Sequence, residues 1–310
     1  MKSIFTLTLS PAVDKSTEVD HVVAEHKLRC AEAKFEAGGG GINVSRAIKK
    51  LGGESTAIYT KGGPTGDLLQ KLLNLEYISQ LPVECVNWTR ENFTVVETTS
   101  NQQFRFGMPG PELYEKEWRQ CLDLVQDVNR PIDYMVVSGS IPKGVPSDFF
   151  VQIAKLSREK NARLILDTSG DSLRQAMSIG VHMLKPNLNE LAEMVGRDLN
   201  TQKEQEDAAQ ELVHSGKIDV LVVSLGPSGA MMVSKEGIYH VAAPSVRKRS
   251  TVGAGDSMVA GVVYSMARNW DLHDALRYGI ACGTAATMNT GTGLCKKTDV
   301  EELFKWLKAK

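Results

Sequence analysis

Tyr134-Met-Val-Val137, Arg163-Leu-Ile-Leu-Asp167, His182-Met-Leu184 and Val220-Leu-Val-Val223 are short apolar runs, each followed by a polar or glycine-rich turn. A strand buried on both faces reads as a continuous apolar run, so their repetition predicts a parallel sheet. Between them, the stretches near 147–160, 171–179, 189–195 and 202–215 have apolar residues at helical spacing. Strands and helices that alternate through right-handed crossovers put helices on both sheet faces, so the fold class is doubly wound α/β.

Two earlier stretches break that rhythm. Ser16 to Val23 is followed by Leu28 to Phe35, and Phe93 to Glu97 by Gln102 to Phe106 across Thr99-Ser-Asn101. Each reads as strands joined by a turn with no helix between them. A small separate sheet shaped like a lid satisfies this pattern, and so do edge strands of the main sheet. No long linker or internal repeat interrupts the chain.

The 310 residues are 42% hydrophobic and 24% charged, with 27 Gly and 11 Pro, which excludes disordered and collagen-like chains. Lys and Arg number 36 against 37 Asp and Glu, a net charge of -1, so no global field draws the chain to nucleic acid or an acidic membrane. Any anionic ligand must be held by local charge. Cys30, Cys85, Cys121, Cys282 and Cys295 are scattered and never spaced C-x-x-C, as expected of a protein in a reducing cytosol. Thr6 and Thr8 alternate with Phe5, Leu7 and Leu9, a strand pattern rather than a signal peptide. No apolar run approaches the roughly eighteen residues of a membrane span, so a soluble, cytoplasmic protein is expected.

The strongest chemical feature is Arg249-Ser-Thr-Val-Gly-Ala-Gly-Asp-Ser257, which runs into an apolar helical stretch. Gly253 and Gly255 permit a tight turn, and the unpaired N–H groups of the next helix make an anion site at its positive end. Asp256 at that entrance could take a proton from a substrate hydroxyl while the N–H groups stabilise phosphoryl oxygens. An isolated G-x-G-D is more often a plain helix cap. Gly38-Gly-Gly-Gly-Ile-Asn43 also precedes a helical stretch; ordering four glycines is costly, which suits close approach of backbone to a ligand, with Asn43 offering an amide to hydroxyls. In Leu184-Lys-Pro-Asn-Leu-Asn-Glu190, the residues Lys185, Asn187 and Glu190 follow an apolar run, where open α/β sheets bind ligands. Asn187 and Glu190 suit either Mg²⁺ held through its waters or a simple helix cap. Ser224-Leu-Gly-Pro-Ser-Gly229 suits a nucleotide pocket or a turn.

Arg90 and Arg105 flank the second strand pair and could clamp one anionic substrate, since a guanidinium fork matches phosphate. The chain has no G-x-S-x-G elbow, no H-E-x-x-H and no Walker G-x-x-x-x-G-K-[ST]. The dinucleotide fingerprint G-x-G-x-x-G is not matched by the glycine run either, which argues against a nicotinamide-dependent oxidoreductase.

With Thr8-Leu-Ser-Pro-Ala-Val-Asp14, Gly38-Gly-Gly-Gly-Ile-Asn43, Lys185-Pro-Asn-Leu-Asn-Glu190 and Thr251-Val-Gly-Ala-Gly-Asp256 in one order, the chain resembles the ribokinase-like carbohydrate kinases of the phosphofructokinase B group over about Ile4 to Cys295. The resemblance implies a three-layer α/β/α domain spanning 1–310, with lid segments at 16–35 and 92–106 that clasp a homodimer. It implies ATP, Mg²⁺ and a monovalent cation, K⁺ by preference. Asp256 would be the base, with the anion hole formed by Val252, Gly253, Ala254 and Gly255. Asp14, Gly38, Gly39, Gly40, Gly41, Asn43, Arg90, Arg105, Ser140 and Lys27 would hold a sugar phosphate. Lys185, Asn187, Ser224, Gly226 and Gly229, with Thr251 and Val252, would surround the nucleotide, and Glu190 would order the magnesium waters. Ser250, Val252, Ala286, Asn289 and Gly291 would form the monovalent-cation loop. Gly40 stands where many fructose-1-phosphate kinases have Lys, so the expected reaction is phosphorylation of fructose 6-phosphate at the 1-hydroxyl. Tagatose 6-phosphate and fructose 1-phosphate are the alternative substrates, and a non-catalytic sugar-phosphate or nucleotide sensor is the alternative outside the class.

Overall fold

Every apolar run quoted above becomes a strand. In a computed structural model, which describes residues 1–168, 170, 180–289, 291 and 293–310, the elements are β1 (Ile4–Thr8), β2 (Ala12–Val19), β3 (Lys34–Gly38), α1 (Gly40–Lys50), β4 (Thr56–Lys61), α2 (Gly63–Leu75), β5 (Ser79–Glu84), β6 (Arg90–Glu97) and β7 (Gln103–Phe106). There follow α3 (Glu115–Asp127), β8 (Tyr134–Ser138), α4 (Phe149–Glu159), β9 (Arg163–Asp167), β10 (Val181–Leu184), α5 (Leu188–Val195), α6 (Gln202–His214), β11 (Ile218–Ser224), β12 (Ala230–Ser234), β13 (Gly237–Val241), α7 (Ala254–Ala267), α8 (Leu272–Thr287) and α9 (Lys297–Lys308). The helix expected at 171–179 lies outside the described residues.

Among the described residues, a nine-stranded sheet runs in the order β13-β12-β11-β10-β9-β8-β1-β4-β5. It is parallel from β5 to β11, with β12 and β13 antiparallel at one edge. Its strands are buried on both faces in alternation. Tyr134, Val136, Ile165, Val220 and Val222 pack beneath α1, α7, α8 and α9; Met135, Val137, Leu164, Leu166, Leu221 and Val223 pack beneath α3, α4, α5 and α6. The result is the ribokinase-like three-layer sandwich. Burying each such aliphatic side chain contributes about 1.5–3 kcal/mol, which is why the runs lack polar alternation.

α7 lies nearly enclosed between the sheet and α8. A β-carbon on Gly261 would come within 2.9 Å of the Gly279 α-carbon, so the small residues allow the two helices to touch by their backbones. The helix that carries Asp256 is thereby fixed along its length.

The lid stretches form a sheet of their own, β3-β2-β6-β7, which decides between the two readings of the sequence. Its boundaries differ from the expected ones: the first strand starts earlier, at Ala12, and its antiparallel partner is Lys34–Gly38 rather than Leu28–Phe35. β2 also pairs in parallel with β6, more than seventy positions away in the chain. Such non-local pairing has no turn signal in the sequence. The hairpin β6–β7 turns at Thr99-Ser-Asn101 as expected.

Candidate active site

The chain leaves β1 for β4 on one side of the sheet and returns to β8 on the other, so the carboxyl ends of β1 and β8 border a topological switch point. The glycine run is seated there. Gly39 has φ 112°, a conformation that a side chain would resist, and it turns β3 into α1. A β-carbon on Gly40 would fall on Ser138, and one on Gly41 would lie 2.6 Å from Thr8 Oγ1. Ile42 N donates to that same hydroxyl at 3.0 Å. The four glycines are therefore required by packing against Thr8, Pro11, Asp14 and Ser138.

Asp14 reaches over Gly38 from β2 and is buried. Asn92 Nδ2 of β6 donates to its Oδ1 at 2.8 Å. Burial raises the carboxyl above its usual range, opposed by the Asn92 hydrogen bond and by Arg46. Arg90 lies nearby, its Nη1 donating to Met108 O at 2.8 Å and its Nη2 to Ser10 O at 3.0 Å. Its buried Nε has no partner among the described residues.

α7 starts at Ala254 after Gly253, which has φ 71°. Ser257 N closes the first turn on Gly253 O at 2.9 Å, and the N–H groups of Gly255 and Asp256 have no partner among the described residues, as at any helix start. Asn43 Nδ2, from the first turn of α1, donates to Asp256 Oδ2 at 2.9 Å, so the two glycine motifs meet through these side chains. Burial pushes Asp256 up to about 6, the Asp167 charge adds to this, and the Asn43 bond and Lys185 oppose it.

Lys185 Nζ pairs with Asp167 Oδ1 at 3.0 Å and would lie 3.9 Å from a β-carbon on Gly255, beside the exposed helix start. Burial works against its charge, but Asp167, with Asp256 and Glu190, outweighs that and keeps the ammonium above its usual range. Asp167 also accepts from Ser138 Oγ at 3.3 Å. The sequence reading missed Asp167. Its available signal was position: it ends the apolar run Arg163–Asp167, at the carboxyl edge where ligands bind.

Past the carboxyl end of β10, Asn187 caps α5. Its side chain accepts from Glu190 N at 2.9 Å, and Glu190 Oε2 accepts from Asn187 N at 2.7 Å. The helix-cap reading of this pair is thus realised, and the second Glu190 oxygen has no partner among the described residues. Ser224 N donates to Pro186 O at 3.0 Å, joining this turn to the 224–229 bend. Gly226 and Gly229 there have φ 59° and 101°. No group of three or more His, Cys, Asp or Glu side chains among the described residues could hold a metal ion. Glu190 and Asp167 supply hard oxygen donors next to Lys185, a set that fits an Mg²⁺ keeping most of its waters.

Ser250 is buried, and its Oγ accepts from Val252 N at 3.2 Å. Arg249 N and Ser250 N donate to Thr287 O at 2.8 and 3.3 Å, and Asn289 N to Ala286 O at 3.2 Å. Asn289 Nδ2 reaches Leu294 O at 2.9 Å across the turn that holds Gly291. The loop before Asp256 and the carbonyl-rich carboxyl end of α8 are thereby side by side, and that negative end fits a monovalent cation.

Other expected residues do not converge. Ser140 is exposed on the turn after β8, and Lys27 is exposed in the segment between β2 and β3. Arg105 is exposed and pairs in register with Thr94, four residues along β6 from Arg90, or about 13 Å at strand spacing. The two arginines do not form one clamp within this chain.

Residues 7–299 match the profile of the pfkB family carbohydrate kinases. The ATP-dependent 6-phosphofructokinase isozyme 2 of Escherichia coli is 43% identical over 308 residues, 99% of each chain. A 1-phosphofructokinase of Borreliella burgdorferi is 31% identical over 97% of this chain and 96% of its own, and a tagatose-6-phosphate kinase of Staphylococcus epidermidis 29% over 97% of each. Among solved structures, E. coli phosphofructokinase-2 in complex with potassium superimposes with a TM-score of 0.95 at 43% identity, covering 99% of this chain and 100% of that one. The same E. coli protein is known with fructose-6-phosphate and in a tetrameric inhibited form. With a matched profile over nearly its whole length and two glycine loops converging on one half-buried carboxylate, the chain belongs to the pfkB family of carbohydrate kinases.

Proposed function

We propose that the chain transfers the γ-phosphoryl group of ATP to the 1-hydroxyl of fructose 6-phosphate, giving ADP and fructose 1,6-bisphosphate. The carrying observation is Asp256, raised to about 6 and oriented by Asn43 at the exposed start of α7. In the reaction Asp256 accepts the hydroxyl proton as the 1-oxygen bonds to the γ-phosphorus and the bond to the β,γ-bridging oxygen breaks. The N–H groups of Gly253 to Gly255 and the Lys185 ammonium face the charge that develops on the transferring oxygens. Phosphoryl transfer passes through a loose transition state, so alignment and charge stabilisation supply most of the acceleration.

Asp14, Asn43, the 38–41 glycines, Arg90 and, from the turn after β8, Ser140 hold the sugar phosphate, with Lys27 and Arg105 brought in by lid closure or by a second copy. Lys185, Asn187, Ser224, Gly226, Gly229, Thr251 and Val252 surround ATP. Glu190 and Asp167 hold Mg²⁺ through its waters, and that ion neutralises phosphate charge. Ser250, Val252, Ala286, Asn289 and Gly291 hold K⁺. Phe35 and Phe106 are 40% and 49% exposed on the lid and form the contact between two copies. Fructose 6-phosphate is preferred over tagatose 6-phosphate and fructose 1-phosphate because identity is 43% to the 6-phosphofructokinase against 29–31% to the others.

Asp256→Asn tests the mechanism. Turnover should fall by about 10²- to 10⁴-fold with sugar binding nearly unchanged. Equal turnover in the two proteins would remove Asp256 from the reaction.

A further inference from the structure

Arg46 is used by none of the steps above, yet it is the most deeply placed cation near the site, 2% exposed. It follows Asn43 by three positions on α1, so the two share a helix face. Its Nε donates to Glu76 Oε1 and Oε2 at 2.9 and 3.0 Å, and its Nη2 to Glu76 Oε1 at 2.6 Å. Glu76 is the carboxyl cap of α2, the helix that joins β4 and β5 of the body. The other edge of the guanidinium reaches the lid, with Nη1 donating to Ala37 O and Nη2 lying 3.4 Å from Glu36 Oε1. Glu36 and Ala37 are the last residues of β3 before the glycine run, and in register they oppose Asp14 and Val13 of β2. One fork thus grips the body with one edge and the root of the lid with the other, at the point where β3 becomes Gly38 beneath the Asp14 carboxylate.

We infer that Arg46 is a positioning residue for the sugar site: by tying Glu36 and Ala37 of the lid root to Glu76 of the body, it sets Asp14 and the 38–41 backbone at the distance from Asn43 that the acceptor sugar requires. A buried ion pair is weak support for stability, because desolvation offsets its attraction, and fixing one geometry is the role such pairs serve best. Lysine keeps the charge but has no planar fork, so it cannot grip both edges. The inference rests on the proposed reading of this cleft as the sugar-phosphate site.

The test compares wild type with Arg46→Lys, Glu76→Gln and Glu36→Gln, measuring the Michaelis constants for fructose 6-phosphate and for ATP, kcat and the melting temperature. In Arg46→Lys the sugar constant should rise about tenfold, with kcat and the ATP constant changed by less than about threefold. Either glutamine variant, which loosens one side of the grip, should raise the sugar constant by about threefold to fivefold. If the variants melt lower but leave the ratio of the two Michaelis constants at the wild-type value, Arg46 is structural and the inference fails. Wild type that phosphorylates no sugar phosphate would overturn the functional reading instead, which separates the two failures.

Discussion

In the body, the groups facing the proposed transfer site are fixed by neighbouring side chains and packing: Asp256 by Asn43, Lys185 by Asp167, and the whole of α7 by its contact with α8. In the four-stranded sheet, Asp14 is held by Asn92 from a neighbouring strand, Arg90 by two loop carbonyls, and Arg105 is exposed with no partner among the described residues. The body is built to have one arrangement before any ligand arrives. The lid is built of strands with an exposed edge and few buried apolar side chains, the low-stability kind of element from which moving parts are drawn. In the proposed reaction, electrostatic preorganisation belongs to the first region and recognition of the sugar to the second.

That division can be broken by mutation. On the body side, Lys185→Ala should lower kcat by about 10²- to 10³-fold, because it removes the cation beside the helix start and leaves Asp167 unpaired. On the lid side, Arg90→Ala should raise the Michaelis constant for the sugar phosphate by about 10- to 150-fold, the range expected of a charged hydrogen bond, with kcat changed far less. A large fall in kcat for Arg90→Ala, measured in a steady-state assay, would place chemistry in the lid and void the comparison.

The pH dependence sharpens it. Below about 6 Asp256 takes up a proton and can no longer accept one from the substrate, so kcat should fall about tenfold per pH unit on the acid side. Removing the Asp167 charge takes away a contribution that raises Asp256, so Asp167→Asn should move this limb to lower pH. A limb that stays put in Asp167→Asn and in Asp256→Glu belongs to the substrate phosphate. The smallest expected effect is that of Asn92→Ala, which removes one neutral donor from Asp14 and should raise the sugar Michaelis constant about threefold to fivefold.

The same contrast explains what could be read from the sequence. The body strands announce themselves because burial on both faces demands unbroken apolar runs such as Tyr134 to Val137. The glycine run is legible because close packing leaves no room for a β-carbon at Gly38 to Gly41. The lid strands were located but misjudged by several residues: Lys34 to Glu36 are largely exposed and carry no alternation, and the pairing of β2 with β6 is non-local. Asp167, Asn92 and Arg46 were invisible as functional residues for another reason. Each acts through a partner distant in the chain, Lys185, Asp14 or Glu76, and a lone polar residue gives no local sign of such a partner.

The account is tested most directly by ADP release from the purified protein with ATP, Mg²⁺ and, in turn, fructose 6-phosphate, tagatose 6-phosphate, fructose 1-phosphate and ribose. It predicts the highest kcat/KM with fructose 6-phosphate and fructose 1,6-bisphosphate as the product. A higher value with fructose 1-phosphate, or ADP release that no sugar phosphate stimulates, would contradict it.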